Sequence, residues 1–388
     1  MNYPMRLIHR YGLALATLLL AGCVESYMPD VADVPTNYLV VDGFINGNGI
    51  TRIKLTRSVG LSSSTVPVEK GARITIVDDT GVRYPLAEKT PGFYQSDSLQ
   101  LNPARQYQLR FTTSANVAYD SDLVPLKVSP PIDKVSWQLN GDQVQLLLST
   151  HDATGQSRYY RWGFTETWEF NSAFRSKLEY DRKKEIIIER INPAYTCWRT
   201  EKSSAIRQGS TAQLSQDALT DYALATPDSH DERFKVRYSA LITQYTQTAA
   251  EFNYNELLRK NTEAVGGVND PLPVQLTGNV HRLDNATEPV LGFVSAHTVQ
   301  QKRMFIDRQD LPANWTFVTS YDRCNEGEED LTKYNPPLVV PQTFIFQSTG
   351  NTPIDYIFSN GTPIGYTGST TTCVDCRLRG SNVKPSFW

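Results

Sequence analysis

Apolar and polar side chains alternate along long stretches of this chain, and this period of two most restricts how it can fold. In residues 159–170 the even positions are aromatic except for one glutamate, and the odd positions are mostly polar. Residues 234–242 repeat the pattern with Phe, Val, Tyr, Ala and Ile on one side. Successive side chains of a strand point to opposite faces, so each segment predicts a strand with one buried face. We therefore expect a mainly β protein.

Tight turns divide the early strands. Residues 46–49 and 78–81 supply the Asn, Asp and Gly that tolerate positive φ in hairpins. Short strands spaced about ten to twenty residues apart, without helical period, are typical of an antiparallel immunoglobulin-like sandwich. We predict such a sandwich over residues 38–130, ending at a proline-rich linker. A second, larger β domain should occupy residues 131–388, with a late strand at 344–346.

One segment has a helical pattern instead. Thr248 and Glu251 have capping-box spacing, and Tyr254 and Leu257 share one side of a helix. The sequence therefore predicts one helix, inserted in the second domain at about residues 248–262.

The chain begins like a secreted protein. Arg6 and Arg10 precede an uncharged apolar segment, residues 12–22. That segment is about half the roughly 20 residues that a spanning helix needs, and it fits a signal peptide over residues 1–22.

The tetrapeptide LAGC at residues 20–23 resembles the lipobox of bacterial lipoproteins, in which the cysteine becomes acylated. We therefore expect Cys23 to carry lipid and residues 23–37 to form an extended tether. Several acyl chains bind a bilayer far more firmly than one. Val24 is not the Asp that commonly retains lipoproteins at the inner membrane, so an outer-membrane anchor is favoured. Whether the protein faces the periplasm or the cell surface stays open.

The charge of the chain limits the kinds of partner that it can bind. Without the first 22 residues, 36 basic side chains face 41 acidic ones, a net charge of about −5. The charges are spread along the chain without basic patches, so we expect no nucleic-acid partner. About 365 residues exceed one ordinary core, which agrees with two domains.

Four cysteines remain after Cys23, namely Cys197, Cys324, Cys373 and Cys376. In an oxidising compartment they predict two disulfides, whose pairing the sequence leaves open among three arrangements. The CxxC of the last two could also be a redox centre or half of a zinc site. The cysteines of a thioredoxin-like redox centre stand at the start of a helix that follows a strand, whereas the residues on either side of this CxxC favour a loop and a strand. A zinc site would need a second pair of neighbouring cysteines, and Cys197 and Cys324 are far apart in sequence.

The chain contains no recognisable catalytic motif. We therefore expect that the protein is not an enzyme and has no cofactor and no metal site. The acidic run at residues 326–330 lacks the alternating ligands of a calcium loop and predicts a solvated loop. Trp162 and Trp168, on the aromatic strand, are the candidate binding residues. Such a face is either sandwich core or a ligand platform, and burial of both tryptophans would argue against the platform.

Several short stretches together carry a resemblance to a known family. They are residues 39–43, 71–72 with 79–81, 92–94, 197–198, 278–280, 291–293, 302–303, Cys324, and 375–377 with 384–388. In these stretches the chain resembles the Bacteroidota lipoproteins grouped as domain-of-unknown-function family 4249. The resemblance implies no established activity. It implies a neighbour, because members are typically encoded beside TonB-dependent outer-membrane receptors.

Three functions follow as expectations. The first is a non-catalytic outer-membrane lipoprotein that serves a TonB-dependent transporter as an accessory or substrate-capture subunit. The second is a stand-alone glycan- or peptide-binding lipoprotein. The third is a hydrolase without a recognisable motif.

Overall fold

The structure, a computed structural model, describes residues 37–60, 63, 65–263, 276, 278–330 and 350–388. The predicted signal peptide, Cys23, nearly all of the tether and the strand expected at 344–346 lie outside the described residues. Within these ranges, no helix combines the length and apolar character needed to cross a bilayer.

The described residues are mainly strands, as predicted. The first twelve strands are β1 (Leu39–Asn46), β2 (Ile50–Arg57), β3 (Arg73–Asp78), β4 (Arg83–Thr90), β5 (Phe93–Ser98), β6 (Gln106–Thr112), β7 (Ala118–Ser121), β8 (Val124–Lys127), β9 (Ile132–Asn140), β10 (Gln143–His151), β11 (Tyr159–Asn171) and β12 (Leu178–Asp181). The others are β13 (Ile186–Glu189), β14 (Thr196–Lys202), β15 (Arg207–Ser210), β16 (Ala218–Ala225), β17 (Arg237–Thr246), β18 (Val280–Arg282), β19 (Val290–Leu291), β20 (Ala296–His297), β21 (Val299–Asp307), β22 (Gly327–Asp330), β23 (Asn351–Ser359) and β24 (Thr362–Thr370).

Helices are few. The described helices are α1 (Ala249–Glu263), α2 (Thr371–Val374) and the 3-10 turns Glu232–Phe234, Arg308–Asp310 and Cys376–Leu378. The inserted helix α1 confirms the prediction, and the Thr248 hydroxyl accepts the Glu251 N–H at 3.1 Å. The other half of the expected capping box does not form, because the Glu251 carboxylate accepts from Ser295 instead.

The first sheet closes on itself. Its strands follow the order β6-β3-β4-β5-β2-β1-β20-β8, and β8 pairs again with β6. Strand β20 is parallel to both of its neighbours, and β19 is parallel to β1, whereas the hairpins at residues 46–49 and 78–81 are antiparallel as predicted. The predicted first sandwich therefore draws three strands, β18 to β20, from beyond residue 131.

Two glycines of the family-like stretches make this closure possible. A Cβ on Gly292 would lie 2.0 Å from the Val41 carbonyl oxygen, and one on Gly278 would lie 1.6 Å from the Gly292 carbonyl oxygen. The Asn279 side chain both donates to and accepts from the Val294 backbone at 2.8 Å. The segment 278–297, which carries β18 to β20, can therefore bring its backbone against that of β1. Side chains in place of these two glycines would prevent this approach.

The second unit is a sandwich of two sheets. One has the order β16-β10-β9, and the other has the order β14-β11-β17-β21 with β15 also paired to β11. Burying one face of each sheet produces a shared core, which includes Val144, Leu146, Leu148, Tyr160, Trp162, Phe164, Tyr238, Ala240 and Ile242. The alternations at residues 159–170 and 234–242 thus point their apolar sides inward.

The proline-rich linker is buried at the joint between the two units. The Ser129 N–H donates to the Thr298 hydroxyl at 2.8 Å, and the Ser129 hydroxyl donates to the Thr298 carbonyl at 2.6 Å. The Thr246 N–H in turn donates to the Ser129 hydroxyl at 2.9 Å. The two segments that pass between the units, around Ser129 and around Thr298, are therefore hydrogen-bonded to each other, and Ser129 is also hydrogen-bonded to β17.

A small third sheet, β22-β24-β23, lies beside the hairpin β12–β13. The acidic run at residues 326–330 was predicted as a loop, and this is wrong, because residues 327–330 form β22. Backbone pairing with residues 365–368 of β24 explains the difference, since the ladder satisfies the main-chain groups whatever the side chains are.

Candidate functional site

Trp162 is a core residue and not the binding residue that the sequence suggested. Its side chain is 1% exposed, and its indole N–H donates to Gln244 Oε1 at 2.9 Å. Its ring stacks on Tyr160 with centroids 6.0 Å apart. The alternation of β11 placed this ring on the inner face, between two sheets, where a ligand has no access.

Trp168 is also buried, at 4% exposure. The guanidinium groups of Arg199 and Arg233 lie over its ring, at 5.6 and 5.2 Å from the centroid. Cations that cover an aromatic face stabilise it and block its use as a platform. The candidate binding role of both tryptophans is therefore wrong.

The four cysteines form two disulfides, as predicted. Cys197 bonds to Cys376, and Cys324 bonds to Cys373. Each cysteine of the CxxC is bonded outside the motif, which excludes the redox-pair and zinc alternatives for this arrangement. The expected loop and strand around the motif is wrong, because Cys373 lies in α2 and Cys376 in a 3-10 turn.

A buried polar cluster at the joint was missed by sequence reasoning. His297 Nε2 lies 3.8 Å from Glu251 Oε1, which also accepts from the Ser295 hydroxyl at 3.0 Å. The ring of His297 packs against Phe44 with centroids 4.2 Å apart. His297 Nδ1 has no hydrogen-bond partner among the described residues.

Burial sets the protonation of this cluster. It lowers the pKa of His297 to about 3, with a further contribution from the nearby Arg161 cation. Burial also raises the pKa of Glu251, against the hydrogen bonds from Gln247 and Ser295. Both effects favour uncharged forms, so the cluster fits a structural joint better than an acid–base site.

A metal site has no support in the described residues. Within the described ranges, no group of three or more His, Cys, Asp or Glu side chains is placed to hold a metal ion.

Three aromatic side chains lie in a row on the small third sheet. Tyr356 on β23 pairs directly with Tyr366 on β24, and their ring centroids are 5.4 Å apart. Phe358 follows on the same strand, 5.8 Å from Tyr356, and is 58% exposed. We call Tyr356, Phe358 and Tyr366 the aromatic row.

The aromatic row has charged neighbours. Lys177 forms an ion pair with Asp355, and its backbone N–H donates to the Ile354 carbonyl at 2.8 Å. Burial raises the pKa of the Tyr356 hydroxyl, with smaller contributions from Tyr366, Glu189 and Asp355. The row therefore presents a Tyr356 hydroxyl that stays protonated and the bare phenyl ring of Phe358 beside acidic groups.

The sheet that carries the row is firmly attached. The Thr371 N–H donates to the Gly350 carbonyl at 2.9 Å, at the start of β23. The two disulfides then join α2 and the following turn to Cys324 and to β14. A fixed set of rings loses little conformational entropy on binding.

Aromatic rings in this arrangement can stack on sugar rings or anchor the side chains of a partner protein. The alternation of Tyr356 with Phe358 could have indicated a strand with one aromatic face. Nothing in the pattern showed that Phe358 is exposed, whereas the tryptophans of the longer aromatic alternation in β11 are buried.

Fold and site together define a mainly β protein whose candidate site is a row of three aromatic side chains, of which Phe358 is exposed and the two tyrosines are half-buried. The chain belongs to the family described as Domain of unknown function (DUF4249), whose model matches residues 24–303. The family-like stretches after residue 303 lie outside that match, as does the aromatic row. No curated protein matches the chain.

Solved structures give only distant similarity. A segment of two fibronectin type III domains from chicken tenascin is 10% identical, with a TM-score of 0.15, over 54% of this chain and 90% of that one. The adhesin InvE of Yersinia pseudotuberculosis is 10% identical, with a TM-score of 0.14, over 86% of this chain and 74% of that one. Similarity at this level carries no argument about fold or function.

Proposed function

We propose that this protein is a non-catalytic lipoprotein of the outer membrane that assists a TonB-dependent transporter, as an accessory or substrate-capture subunit. The observation that carries the proposal is the aromatic row, Tyr356, Phe358 and Tyr366, on a sheet fixed by two disulfides.

The chemistry of the row supports binding. Aromatic side chains dominate the binding energy of many protein interfaces, especially when they cluster and are held in place. The exposed Phe358 has no hydrogen-bonding group, so burying it against a partner removes apolar surface from water without leaving a polar atom unpaired.

The expected lipid anchor at Cys23 supports the same proposal. Acylation at Cys23 would confine the protein and a receptor to one membrane surface. Two proteins held in this way meet at a high effective concentration, so even a weak contact becomes well populated. A binding surface of three rings is then sufficient for a lasting complex.

A stand-alone glycan- or peptide-binding lipoprotein is the second candidate. The spacing of the rings favours it, because neighbouring centroids 5.4 and 5.8 Å apart offer successive faces to a chain-like ligand. The buried Trp162 and Trp168 no longer contribute to this candidate. A hydrolase remains the third, with no arrangement of described residues to support it.

The test is recovery of partners from native membranes. The affinity-tagged, acylated protein is solubilised gently, captured and analysed by mass spectrometry, in parallel with the double variant Tyr356→Ser/Phe358→Ser. We expect a TonB-dependent receptor with the unaltered protein and at least tenfold less of it with the variant.

Phe93→Ser is the matched control, because Phe93 is an exposed phenylalanine on the first sheet, far from β23 in sequence. It should leave receptor recovery unchanged. Recovery of the lipoprotein alone, with cross-linking also silent, would contradict the transporter proposal. Binding of glycans or peptides that the double variant loses would then favour the second candidate.

A further inference from the structure

Exposed apolar side chains gather on the outer side of the first sheet, beside β2 and β5. Val66 is 57% exposed, Val68 39% and Phe93 46%. Val68 bridges to Thr56 on β2, and it packs so closely on Gly92 that a Cβ there would meet the Val68 Cβ at 2.7 Å. Phe93 pairs with Lys54, two residues before Thr56 on β2, so Phe93 and Val68 lie on one face, and Val66 is two residues before Val68.

Basic side chains surround this region. Lys54 lies over the ring of Phe93, with its Nζ 5.3 Å from the centroid. Lys70 and Lys89 are exposed and follow Val68 and precede Phe93 in sequence. We call Val66, Val68, Phe93, Lys54, Lys70 and Lys89 the tether-side patch.

Two of the three acids nearby are engaged. Glu69 is paired with Arg57 at 2.6 Å. Glu88 accepts the N–H groups of Gly92 at 2.8 Å and Gly71 at 3.0 Å. The third, Asp42, lies opposite Lys54 in the pairing of β1 with β2. Four cations, the three lysines and Arg57, therefore face three anions here, whereas the whole chain has a net charge of −3.

The described part of the chain begins beside this patch, at the end of β2. The Tyr38 N–H donates to the Ser58 hydroxyl, and the Ser58 N–H donates to the Tyr38 carbonyl, both at 2.9 Å. Arg57 Nη1 donates to the Asn37 carbonyl at 3.3 Å. The patch lies on the strand that carries these contacts and on its neighbours, because Lys54 and Thr56 belong to β2.

We propose that the tether-side patch rests on the surface of a bilayer that carries anionic headgroups. This rests on the proposed acylation of Cys23. The thirteen residues 24–36 then span at most about 45 Å, so the anchor holds the patch, which adjoins the point where the chain enters the described structure, within reach of the membrane. Apolar side chains ringed by lysines are the composition that binds a headgroup interface.

The test uses the mature chain, residues 23–388, with Cys23→Ala, so that no acyl chain contributes. Co-sedimentation measures binding to vesicles of phosphatidylglycerol and phosphatidylethanolamine, and to vesicles of phosphatidylcholine alone. We expect binding to the anionic vesicles that weakens as salt is raised. Lys54→Gln/Lys70→Gln should weaken it by about 25-fold, or about fivefold per lysine.

Val68→Ser/Phe93→Ser should also abolish most of the binding, and Val318→Ser, at a residue that is 71% exposed on the second unit, is the control that should leave it unchanged. Thermal melting confirms that each variant is folded. Absence of binding to anionic vesicles, or binding that the patch variants leave unaltered, would overturn this proposal. Neither result would bear on receptor recovery, which depends on the aromatic row.

Discussion

His297 is expected to make the stability of the folded protein fall as the pH falls. The ring is fully buried against Phe44 and Tyr245, with centroids 4.2 and 5.1 Å away. Protonation would place a second N–H donor on Nδ1, which has no acceptor among the described residues. The folded protein therefore resists the proton that the unfolded chain readily takes up.

The magnitude follows from the two pKa values. The pKa of His297 is about 3 in the folded protein and about 6.5 in an unfolded chain. A depressed histidine pKa leaves stability intact above 6.5 and removes it progressively as the pH falls towards 3. The difference of about 3.5 units corresponds to about 5 kcal/mol at the acid end.

The assay compares the unaltered protein with His297→Gln by urea denaturation at pH values between 7.5 and 3. Other titrating groups, including Glu251, act on both proteins, so the difference between the two curves isolates the histidine. That difference should shift by about 5 kcal/mol in favour of the variant as the pH falls.

His281→Gln is the control, because the His281 side chain is about half exposed beside Asp122. Its curve should follow that of the unaltered protein. Curves for His297→Gln and the unaltered protein that stay parallel within about 1 kcal/mol down to pH 3 would refute the argument that burial keeps this ring neutral.

Three further predictions concern other parts of the chain. Replacing Cys197 and Cys376 by serine should lower the free energy of unfolding by about 4 kcal/mol, because their bridge joins residues 179 apart; a loss below about 1 kcal/mol in urea denaturation would contradict this. Asp217→Asn should cost about 3 kcal/mol, since the buried carboxylate accepts from several donors, whereas Tyr160→Phe should cost about 1 kcal/mol by removing one of them; equal losses would count against that difference. Cys23→Ala should abolish incorporation of radioactive fatty acid in cells, and persistent label on the variant would exclude lipidation at that residue.

The sequence was informative where structure is local. Alternation predicted which residues of β11 and β17 share a face, and the spacing of Thr248 and Glu251 predicted the start of α1. These features depend on neighbours within one or two turns of the chain, so a single sequence contains them.

Long-range pairings could not be predicted. Strand β20 has two residues, too few for a pattern, and it pairs with Ile45 about 250 positions earlier. The disulfide pairing was open for the same reason, since four cysteines allow three arrangements. Periodicity also placed Trp162 on an aromatic face, but only packing decided that this face is closed to a ligand.

The most direct test of the proposed function is a cross-link from the aromatic row inside living cells. A photo-reactive amino acid replaces Phe358 in the acylated protein, and irradiated membranes are analysed by mass spectrometry. Val318, which is 71% exposed on the second unit, is the control position. We expect a covalent product with a TonB-dependent receptor from position 358 that is absent from position 318. No receptor product from position 358, in cells that contain the receptor, would contradict it.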